Sequence, residues 1–301
     1  MNADPTKKLH RRAVFTLILC CFLWSIAGIV TRNLDSAKSF EVTFWRSFWC
    51  AVAMIIWFAW HERGAAWAHI RSSGRAGLVS GVCWAVMFTC FMIALTLTST
   101  ANTLIVNSLS PLITALLAWL VLKSPVPGRT WLAIAIAIIG MAIMFSSALD
   151  AKAGNAALGM MIAFGVPVAA AINLINIKKS GGAIDLAPAV LIGALISCVV
   201  TLPLSLPLAA SVKDIALLAV LGVFQLAIPC VLLIRAAKHL SAPETALLGM
   251  IEVIIGPLWT WLFANEVPTF ATLIGAAIVI AALVLNEVVP KSRRAAGVTP
   301  L

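Results

Sequence analysis

Long apolar stretches of about twenty residues follow one another along almost the whole chain and are separated by short polar loops. A bilayer core about 30 Å thick requires ~20 helical residues to cross it. Each stretch therefore predicts a transmembrane helix, and the chain is predicted to be an all-α polytopic membrane protein. The ten predicted transmembrane helices cover residues 14–34, 40–60, 76–98, 100–122, 130–149, 157–177, 186–207, 213–235, 242–263 and 268–288.

The composition of the chain excludes a water-soluble fold. Hydrophobic residues make up 62% of the chain and charged residues 11%, which would cover a soluble domain with apolar surface. The net charge of +10 does not indicate a nucleic-acid partner, because the basic residues lie at the predicted membrane edges beside anionic lipid head groups. The seven cysteines fall inside predicted spans without a CxxC or Cys/His cluster, so no disulfide, metal site or cofactor is predicted.

The distribution of lysine and arginine among the loops predicts the orientation in the membrane. Basic residues near span ends are retained on the cytoplasmic side. With the N-terminus inside, sixteen of the 21 basic residues lie on the cytoplasmic side, and Arg46 lies within the second span. Both termini are therefore predicted to be cytoplasmic. The four basic residues on the outer side are Arg32, Lys38, Lys152 and Lys213.

An internal repeat relates the two halves of the chain at an offset of 142 residues. The offset aligns spans four and five with spans nine and ten, and it places Trp119 on Trp261 and Ser99 on Ser241. Because each repeat has an odd number of spans, the two five-helix repeats are predicted to be inverted. The predicted parts are a basic cytoplasmic lead at 1–13, a first repeat at 14–149, a linker at 150–156, a second repeat at 157–288 and a basic cytoplasmic tail at 289–301.

Inverted repeats are typical of secondary transporters, in which two halves rock about a midplane site and expose it alternately to each face. The predicted partners are therefore a small-molecule substrate and the lipid bilayer. The sequence does not determine the oligomeric state and is compatible with a monomer.

The chain resembles the EamA-type carriers of the drug/metabolite transporter superfamily in three segments. The ends of both repeats carry the resemblance, ALTLTSTANTLIVNSLSPLITALLAWLVL at 94–122 and AAKHLSAPETALLGMIEVIIGPLWTWLFANEVPTFATLIGAAIVIAA at 236–282, and FWRSFWCA at 44–51 resembles the second-span motif. The resemblance implies a ten-helix transporter of the bacterial inner membrane, similar to the exporters of aromatic amino acids in that superfamily. Span four departs from the family pattern, because it ends in Lys123-Ser124-Pro125 rather than in a turn that contains glutamate. The second repeat keeps its acid, Glu266.

Polar residues inside the spans are the candidates for a substrate site, because burying them in hydrocarbon is costly. Span four places Thr103, Asn107, Ser110 and Thr114 at steps of four, three and four, so they share one helical face. We expect this face and its mate on span nine to line a central passage. A close-packed seam between helices is the alternative, since small and hydroxyl residues also let membrane helices approach closely.

Glu252 lies eight residues beyond Glu244, about 12 Å into span nine, and is the acid nearest the midplane. Its carboxylate could bind a substrate ammonium group or carry a proton between the two faces. A neutral carboxyl bonded to a neighbouring helix is the alternative. Glu244 instead fits a helix cap, because Ser241-Ala242-Pro243-Glu244 matches the S-x-x-E capping box.

Arg46 lies about 10 Å inside span two, where an unpaired guanidinium costs ~3 kcal/mol on insertion scales. A substrate carboxylate could pair with it in a bidentate manner. Two structural alternatives are a pair with Glu41, about one turn away, and extension of the long side chain toward the membrane surface. Arg32 and Lys38 are predicted to be interface anchors.

Aromatic and amide residues deep in the spans are further candidates for the substrate site. Trp24 and Trp84 would favour flat apolar or cationic substrates through stacking and cation-π attraction. Packing against lipid or other helices is the alternative for both tryptophans. Gln225 and Asn173 could bond either a substrate or a neighbouring helix. Prolines that interrupt spans four, six, eight and nine are candidate gating hinges, namely Pro111, Pro167, Pro229 and Pro257.

An enzyme is not predicted, because no HExxH or GxSxG motif or glycine-rich phosphate loop is present and the four histidines lie in cytoplasmic loops or at their edges. The sequence instead predicts an alternating-access secondary transporter that exports amino acids, aromatic or other apolar ones, or similar small metabolites. A proton-coupled exporter of cationic drugs or other metabolites, working through Glu252, is the alternative.

Overall fold

The computed structural model describes residues 5–61, 74–123, 125–148, 154–179, 186–236, 239–240 and 242–288. Its helices follow the ten predicted spans. Eight of those described are long and apolar enough to cross a membrane, and the last two helices contain the shorter apolar stretches Leu248–Ala264 and Phe270–Asn286. The helices are α1 Pro5–Arg32, α2 Ser39–His61, α3 Gly74–Leu97, α4 Thr100–Ser108 and Ser110–Leu122, α5 Gly128–Ala148, α6 Ala156–Ala163 and Gly165–Lys179, α7 Leu186–Ser205, α8 Val212–Ala236, α9 Ala242–Ala264 and α10 Phe270–Val288.

The helix α1 begins nine residues before the predicted span, at Pro5 rather than at residue 14. The prediction counted apolar residues alone. The polar turns that contain Lys8, Arg11 and Arg12 continue the same helix, because the backbone hydrogen bonds of a helix extend beyond the hydrocarbon into the head-group region.

Three of the four proline positions lie just after an irregularity in their helix. Proline has no amide hydrogen and its ring clashes with the carbonyl four residues earlier, so the regular ladder is broken there. The irregularities are a break at Leu109 before Pro111, a break at Phe164 before Pro167 and a π-helical segment Leu221–Ala227 before Pro229.

The fourth prediction, an interruption at Pro257, is wrong. The helix α9 runs without a break from Ala242 to Ala264 and contains Pro257. Helices α1 and α4 pack against α9. Such neighbours hold a proline-containing membrane helix together, which explains why this proline does not end the helix.

The packing of the helices follows the two-fold relation expected of inverted repeats. Under the repeat, α1 corresponds to α6, α2 to α7, α3 to α8, α4 to α9 and α5 to α10. The helix α1 packs on α9 and α8, and its counterpart α6 packs on α4 and α3. Likewise α2 packs on α8 as α7 packs on α3, while α5 packs on α10. The predicted all-α fold of ten helices in two inverted repeats is confirmed.

The helices α4 and α9 end in the same backbone conformation. Lys123 has a φ of 55° and Asn265 has a φ of 53°, and the two residues are 142 positions apart. The left-handed conformation ends each helix at its C-cap. Both repeats therefore end this helix with a left-handed residue, although the first repeat lacks the acid that follows in the second, Glu266.

The helices end at two faces, which we name after one arginine each. At the Arg32 face α1 and α3 end while α2, α4 and α8 begin. At the Arg235 face α2, α4, α6 and α8 end. The charge distribution of the loops predicts that the Arg32 face lies outside and the Arg235 face in the cytoplasm.

Candidate functional site

A central cavity lies between the two repeats and consists of two adjoining chambers. The larger chamber has a volume of about 390 Å³ and the smaller about 180 Å³. Asn107, Ser110 and Glu252 line both chambers. The volume of the larger chamber falls in the range of small-molecule sites in proteins, about 300–1,000 Å³. The helices α1, α2, α3, α4, α6, α8 and α9 all contribute residues to the larger chamber.

The break in α4 positions two of its four predicted residues at the cavity. Pro111 has no amide hydrogen for the carbonyl of Asn107, and the Ser110 hydroxyl donates to that carbonyl instead at 2.7 Å. The side chain of Asn107 is half-buried at the cavity wall. The break thus places a polar side chain and a hydroxyl at the centre of the membrane protein.

The other two residues of the predicted α4 strip do not line the cavity. Thr103 is fully buried, and its hydroxyl donates to the carbonyl of Ser99 at 3.1 Å, so its placement in the passage was wrong. Thr114 is half-buried and is not among the lining residues of either chamber. The break at Leu109 divides the helix, and regular helical spacing therefore does not hold along the whole strip.

Arg46 reaches the cavity from α2 and is buried, with 2% of its surface exposed. Its Nε donates to Oε1 of Gln225 at 3.0 Å, and one terminal nitrogen lies 3.5 Å from the carbonyl of Phe88. The guanidinium carbon lies 5.8 Å from the ring centres of Phe88 and Phe91. The charged group is therefore held by neutral acceptors and aromatic rings.

Neither structural alternative for Arg46 is observed. The burial of Arg46 shows that its side chain does not extend to the membrane surface. Glu41 is also buried, but its carboxylate accepts from the backbone amides of Ala209 and Ala210, at 3.0 and 2.8 Å. Glu41 therefore stabilises the turn between α7 and α8, and it does not neutralise Arg46.

Glu252 extends from the middle of α9 into both chambers and is half-buried. Among the described residues neither Glu252 nor Arg46 forms an ion pair, with each other or with a third side chain. One cavity thus contains a guanidinium and a carboxyl group without opposite charges bound to them.

Aromatic rings form much of the remaining wall. Trp24 and Trp84 both line the larger chamber, as do Phe88 and Phe91. The ring of Trp84 lies 5.4 Å from that of Phe88. The Nε1 atom of Trp84 is buried and has no acceptor among the described residues. The cavity wall therefore offers apolar ring faces, and one of its residues, Trp84, carries a buried indole N–H without an acceptor among the described residues.

The two predicted amide residues have different positions. Gln225 lies in the π-helical segment of α8 and lines the larger chamber, where it accepts from Arg46. Asn173 is buried on α6, does not line either chamber, and its Oδ1 has no donor among the described residues. Gln225 thus belongs to the candidate site and Asn173 lies outside it.

Arg32 is not an interface anchor, in contrast to the prediction. Its Nε donates to Glu266 at 2.7 Å, and its terminal nitrogens donate to the carbonyls of Leu95 and Thr98 at 2.7 and 2.6 Å. Glu266 also accepts from the backbone amide of Thr100 at the start of α4. We call this set the outer lock, since it joins α1, the end of α3, the start of α4 and the turn between α9 and α10. Lys38 is exposed at the same face.

A second set of contacts at the Arg32 face was not predicted. Asp214 is buried, and its carboxylate accepts from the backbone amides of Asp35, Ser36 and Ala37 at 2.8 to 3.0 Å. Asp214 also completes a capping box with Ser211 at the start of α8. The S-x-x-D spacing in the sequence was a signal for the cap, but the partner loop lies almost 180 residues away in the chain.

The predicted cap at Ser241 lies largely outside the described residues, as do the sequence positions of Lys152 and the basic C-terminal tail. Within the described part of the chain, no group of three or more His, Cys, Asp or Glu residues could hold a metal ion.

Comparison with known proteins identifies the family. The model of the EamA-like transporter family matches residues 11–146 and 157–287. The pseudopaline exporter CntI of Pseudomonas aeruginosa is 24% identical over 92% of this chain and 96% of its own length. The S-adenosylmethionine uptake transporter of Rickettsia prowazekii is 23% identical over 86% of this chain and 89% of its own length.

A solved crystal structure shares the fold of the chain. It superposes with a TM-score of 0.63 at 16% identity and covers 93% of this chain and 98% of its own. The two family matches, one on each five-helix repeat, agree with the inverted packing of the helices. The chain therefore belongs to the EamA-like transporter family and is a membrane transporter of small metabolites rather than an enzyme.

Proposed function

We propose that this transporter exports amino acids, preferably aromatic or other apolar ones, across the bacterial inner membrane by alternating access. The main support is the cavity, in which the guanidinium of Arg46 and the carboxyl group of Glu252 form no ion pairs among the described residues. An amino acid carries a carboxylate and an ammonium group. One substrate molecule can therefore complement both residues.

Arg46 is proposed to bind the substrate carboxylate. A buried charge is strongly unfavourable unless it is paired and hydrogen-bonded. Gln225 occupies the Nε side of the guanidinium, and the acceptor of the terminal nitrogens among the described residues is the carbonyl of Phe88, at 3.5 Å. A carboxylate bound to these nitrogens forms charge-assisted hydrogen bonds, which are roughly twice as strong as neutral ones.

Glu252 is proposed to bind the substrate ammonium group. Its carboxyl group lies where the two chambers meet, next to Asn107 and Ser110 on the broken helix α4. The side-chain oxygen of Asn107 can accept a hydrogen bond from the ammonium group of the substrate, and its NH₂ group can donate one to a nearby acceptor. The polar residues of α4 and α9 would thus bind the ammonium end of the substrate together.

The aromatic residues are proposed to select the substrate side chain. Trp24, Trp84, Phe88 and Phe91 surround the larger chamber. Aromatic pairs in offset or edge-to-face geometry contribute about 0.5–1.5 kcal/mol beyond the burial of their area. A phenyl or indole side chain therefore gains more in this chamber than a polar one.

Alternating access requires that the cavity is closed from one face at a time. In the present conformation the outer lock joins the helix ends at the Arg32 face. We propose that this face lies outside, with both termini in the cytoplasm, and that the lock separates when the substrate leaves. The breaks before Pro111 and Pro167 and the π-helical segment before Pro229 are proposed as the bending points.

Counterflow in liposomes tests this function. The purified chain is reconstituted into liposomes that contain unlabelled phenylalanine, and uptake of labelled phenylalanine is measured with and without a pH gradient. We expect saturable counterflow that competes with other aromatic amino acids. Empty liposomes and the exposed-surface variant Lys38→Gln are the controls. Absence of counterflow for every amino acid in folded parent and Lys38→Gln proteins would contradict the proposal.

The second candidate function is proton-coupled export of organic cations. It is favoured by the position of Glu252 between the chambers, where it forms no ion pair with a described residue, because such a carboxyl group can exchange a proton for a cation. Under this alternative, flux of a labelled organic cation depends strictly on the pH gradient and is abolished in Glu252→Gln. Amino-acid counterflow that persists without a gradient supports the first function instead.

A further inference from the structure

We propose that a groove between α2 and α8 binds an anionic phospholipid of the leaflet at the Arg235 face. The groove has a volume of about 560 Å³ and is apolar apart from Arg235. The acyl chain lies in the groove and the phosphate group binds Arg235. Residues that line it include Trp49, Ala53, Trp57, Val223, Val231 and Arg235. This inference goes beyond the proposed transport function and does not depend on the substrate.

The groove is distinct from the substrate cavity, because the two lie on different sides of α8. Gln225, Cys230 and Leu233 line the cavity, whereas Val231 and Arg235 line the groove. The same holds for the end of the π-helical segment, where Leu226 lines the cavity and Ala227 the groove. A ligand in the groove therefore contacts the membrane side of the helix.

The length of the groove matches one leaflet. Gly222 brings α8 into close contact with α2, since a Cβ atom at this position would lie 2.6 Å from the carbonyl of Arg46. From this contact the groove extends along α2 from Trp49 to Trp60. The eleven helical steps between these two residues correspond to about 16 Å of helix, which is close to half of a bilayer core about 30 Å thick.

The charge at the end of the groove complements a lipid phosphate. Arg235 is exposed, and among the described residues no carboxylate pairs with it. Its guanidinium lies 5.8 Å from the ring centre of Trp57, which holds it beside the groove. Trp60 is 85% exposed at the same end, as is typical of tryptophan at the membrane interface. A guanidinium can bind a phosphate through two parallel hydrogen bonds.

Native mass spectrometry of the purified chain with added lipids tests the charged part of the site. We expect the parent protein to retain phosphatidylglycerol in preference to phosphatidylcholine. Arg235→Gln is expected to bind phosphatidylglycerol about fivefold more weakly, which is the effect of one arginine near an anionic head group. The matched control is Arg12→Gln, which removes an exposed charge from α1 outside the groove.

A second pair of variants tests the apolar part. Ala53→Phe fills the groove and keeps Arg235, whereas Ala59→Phe adds the same ring at an exposed position on α2 that does not line the groove. Ala53→Phe is expected to lose retained lipid and Ala59→Phe to keep it. Lipid retention in Arg235→Gln and Ala53→Phe equal to that of their controls would refute the site. Equal retention of the two lipids by the parent, or a dimer mass in place of bound lipid, would also refute it.

Discussion

The charged side chains at the Arg32 face and those in the central cavity differ in how they are neutralised. At the face, Arg32 pairs with Glu266, while Asp214 and Glu41 accept hydrogen bonds from backbone amides. In the cavity, Arg46 has only neutral acceptors and Glu252 has no ion pair among the described residues.

This difference separates structural charges from charges available to a substrate. Burying a charge without partners is costly, so a fold that needs a charge only for stability supplies its partners within the chain. The contacts at the Arg32 face are of this kind. Among the described residues, neither Arg46 nor Glu252 in the cavity has a partner of opposite charge, which is the expected arrangement if a substrate supplies one.

The largest predicted effect is that of Arg46→Ala on substrate affinity. The variant removes the proposed carboxylate ligand, and loss of a charge-assisted hydrogen bond of about 1.5–3 kcal/mol weakens binding roughly 10- to 100-fold. Phenylalanine counterflow in liposomes measures this loss. Competition by phenylethylamine, which has no carboxylate, is expected to stay unchanged.

The same measurement can contradict the role of Arg46. If the affinity for phenylalanine in Arg46→Ala equals that of the parent, then the guanidinium does not bind the carboxylate. A loss for phenylethylamine as large as that for phenylalanine would assign Arg46 a structural role instead. Thermal unfolding of the variant provides the control for folding.

Breaking the outer lock is predicted to open the Arg32 face. Glu266→Gln removes the charge that binds Arg32. Loss of an ion pair at a partly exposed site costs about 1 kcal/mol, which shifts the equilibrium between the closed and the open Arg32 face roughly fivefold. The measurement uses a cysteine at Thr103, which is buried close to the lock. An impermeant maleimide labels this cysteine, and the labelling of the parent chain's own cysteines is subtracted. Adding Glu266→Gln to Thr103→Cys should make the labelling roughly fivefold faster. Unchanged labelling would show that the lock does not control this face.

A smaller effect is predicted for Trp84→Phe. The variant removes the buried Nε1 donor and keeps a ring in the cavity wall. If this donor binds substrate, the affinity falls roughly three- to tenfold, as expected for one neutral hydrogen bond. The matched control is Trp49→Phe, since Nε1 of Trp49 also has no acceptor among the described residues but Trp49 lines the α2–α8 groove. Equal losses in both variants would contradict a specific role for Trp84.

The smallest effect is predicted for the ion pair between Lys213 and Asp35. Both side chains are more than half exposed, at 58% and 55%, and their atoms lie 2.8 Å apart. Exposed pairs contribute little to stability because water and salt screen them. Lys213→Gln is therefore expected to leave both the counterflow rate and the labelling of Thr103→Cys unchanged. An effect as large as that of Glu266→Gln would mean that charge at this face, rather than the lock, sets the equilibrium.

Much of the fold could be predicted from the sequence because the bilayer imposes simple rules. Apolar length gave the ten helices, and the odd number of spans in each repeat gave their inversion. The end of α1 that extends into the head-group region was missed, since apolar length does not record it. The continuous α9 was missed because a proline can be held within a helix by packed neighbours.

The candidate site was only partly predictable. The polar residues of α4 were found by helical spacing, but the break at Leu109 keeps Asn107 and Ser110 at the cavity and leaves Thr103 outside it. Glu41 was considered as a partner of Arg46 because the two lie near each other in sequence. In the fold, Glu41 binds the amides of Ala209 and Ala210 in the turn before α8, while Arg46 binds Gln225 of α8.

The sequence alone determined that this chain is a ten-helix membrane transporter with two inverted halves. Hydrophobic length, loop charge and internal repetition can all be read from the order of residues along the chain. Only the tertiary structure decided which partner each buried charged side chain binds among the described residues. Pairing depends on contacts between residues as distant as Arg32 and Glu266 or Arg46 and Gln225. Such contacts are set by the packing of helices, and no local pattern records them.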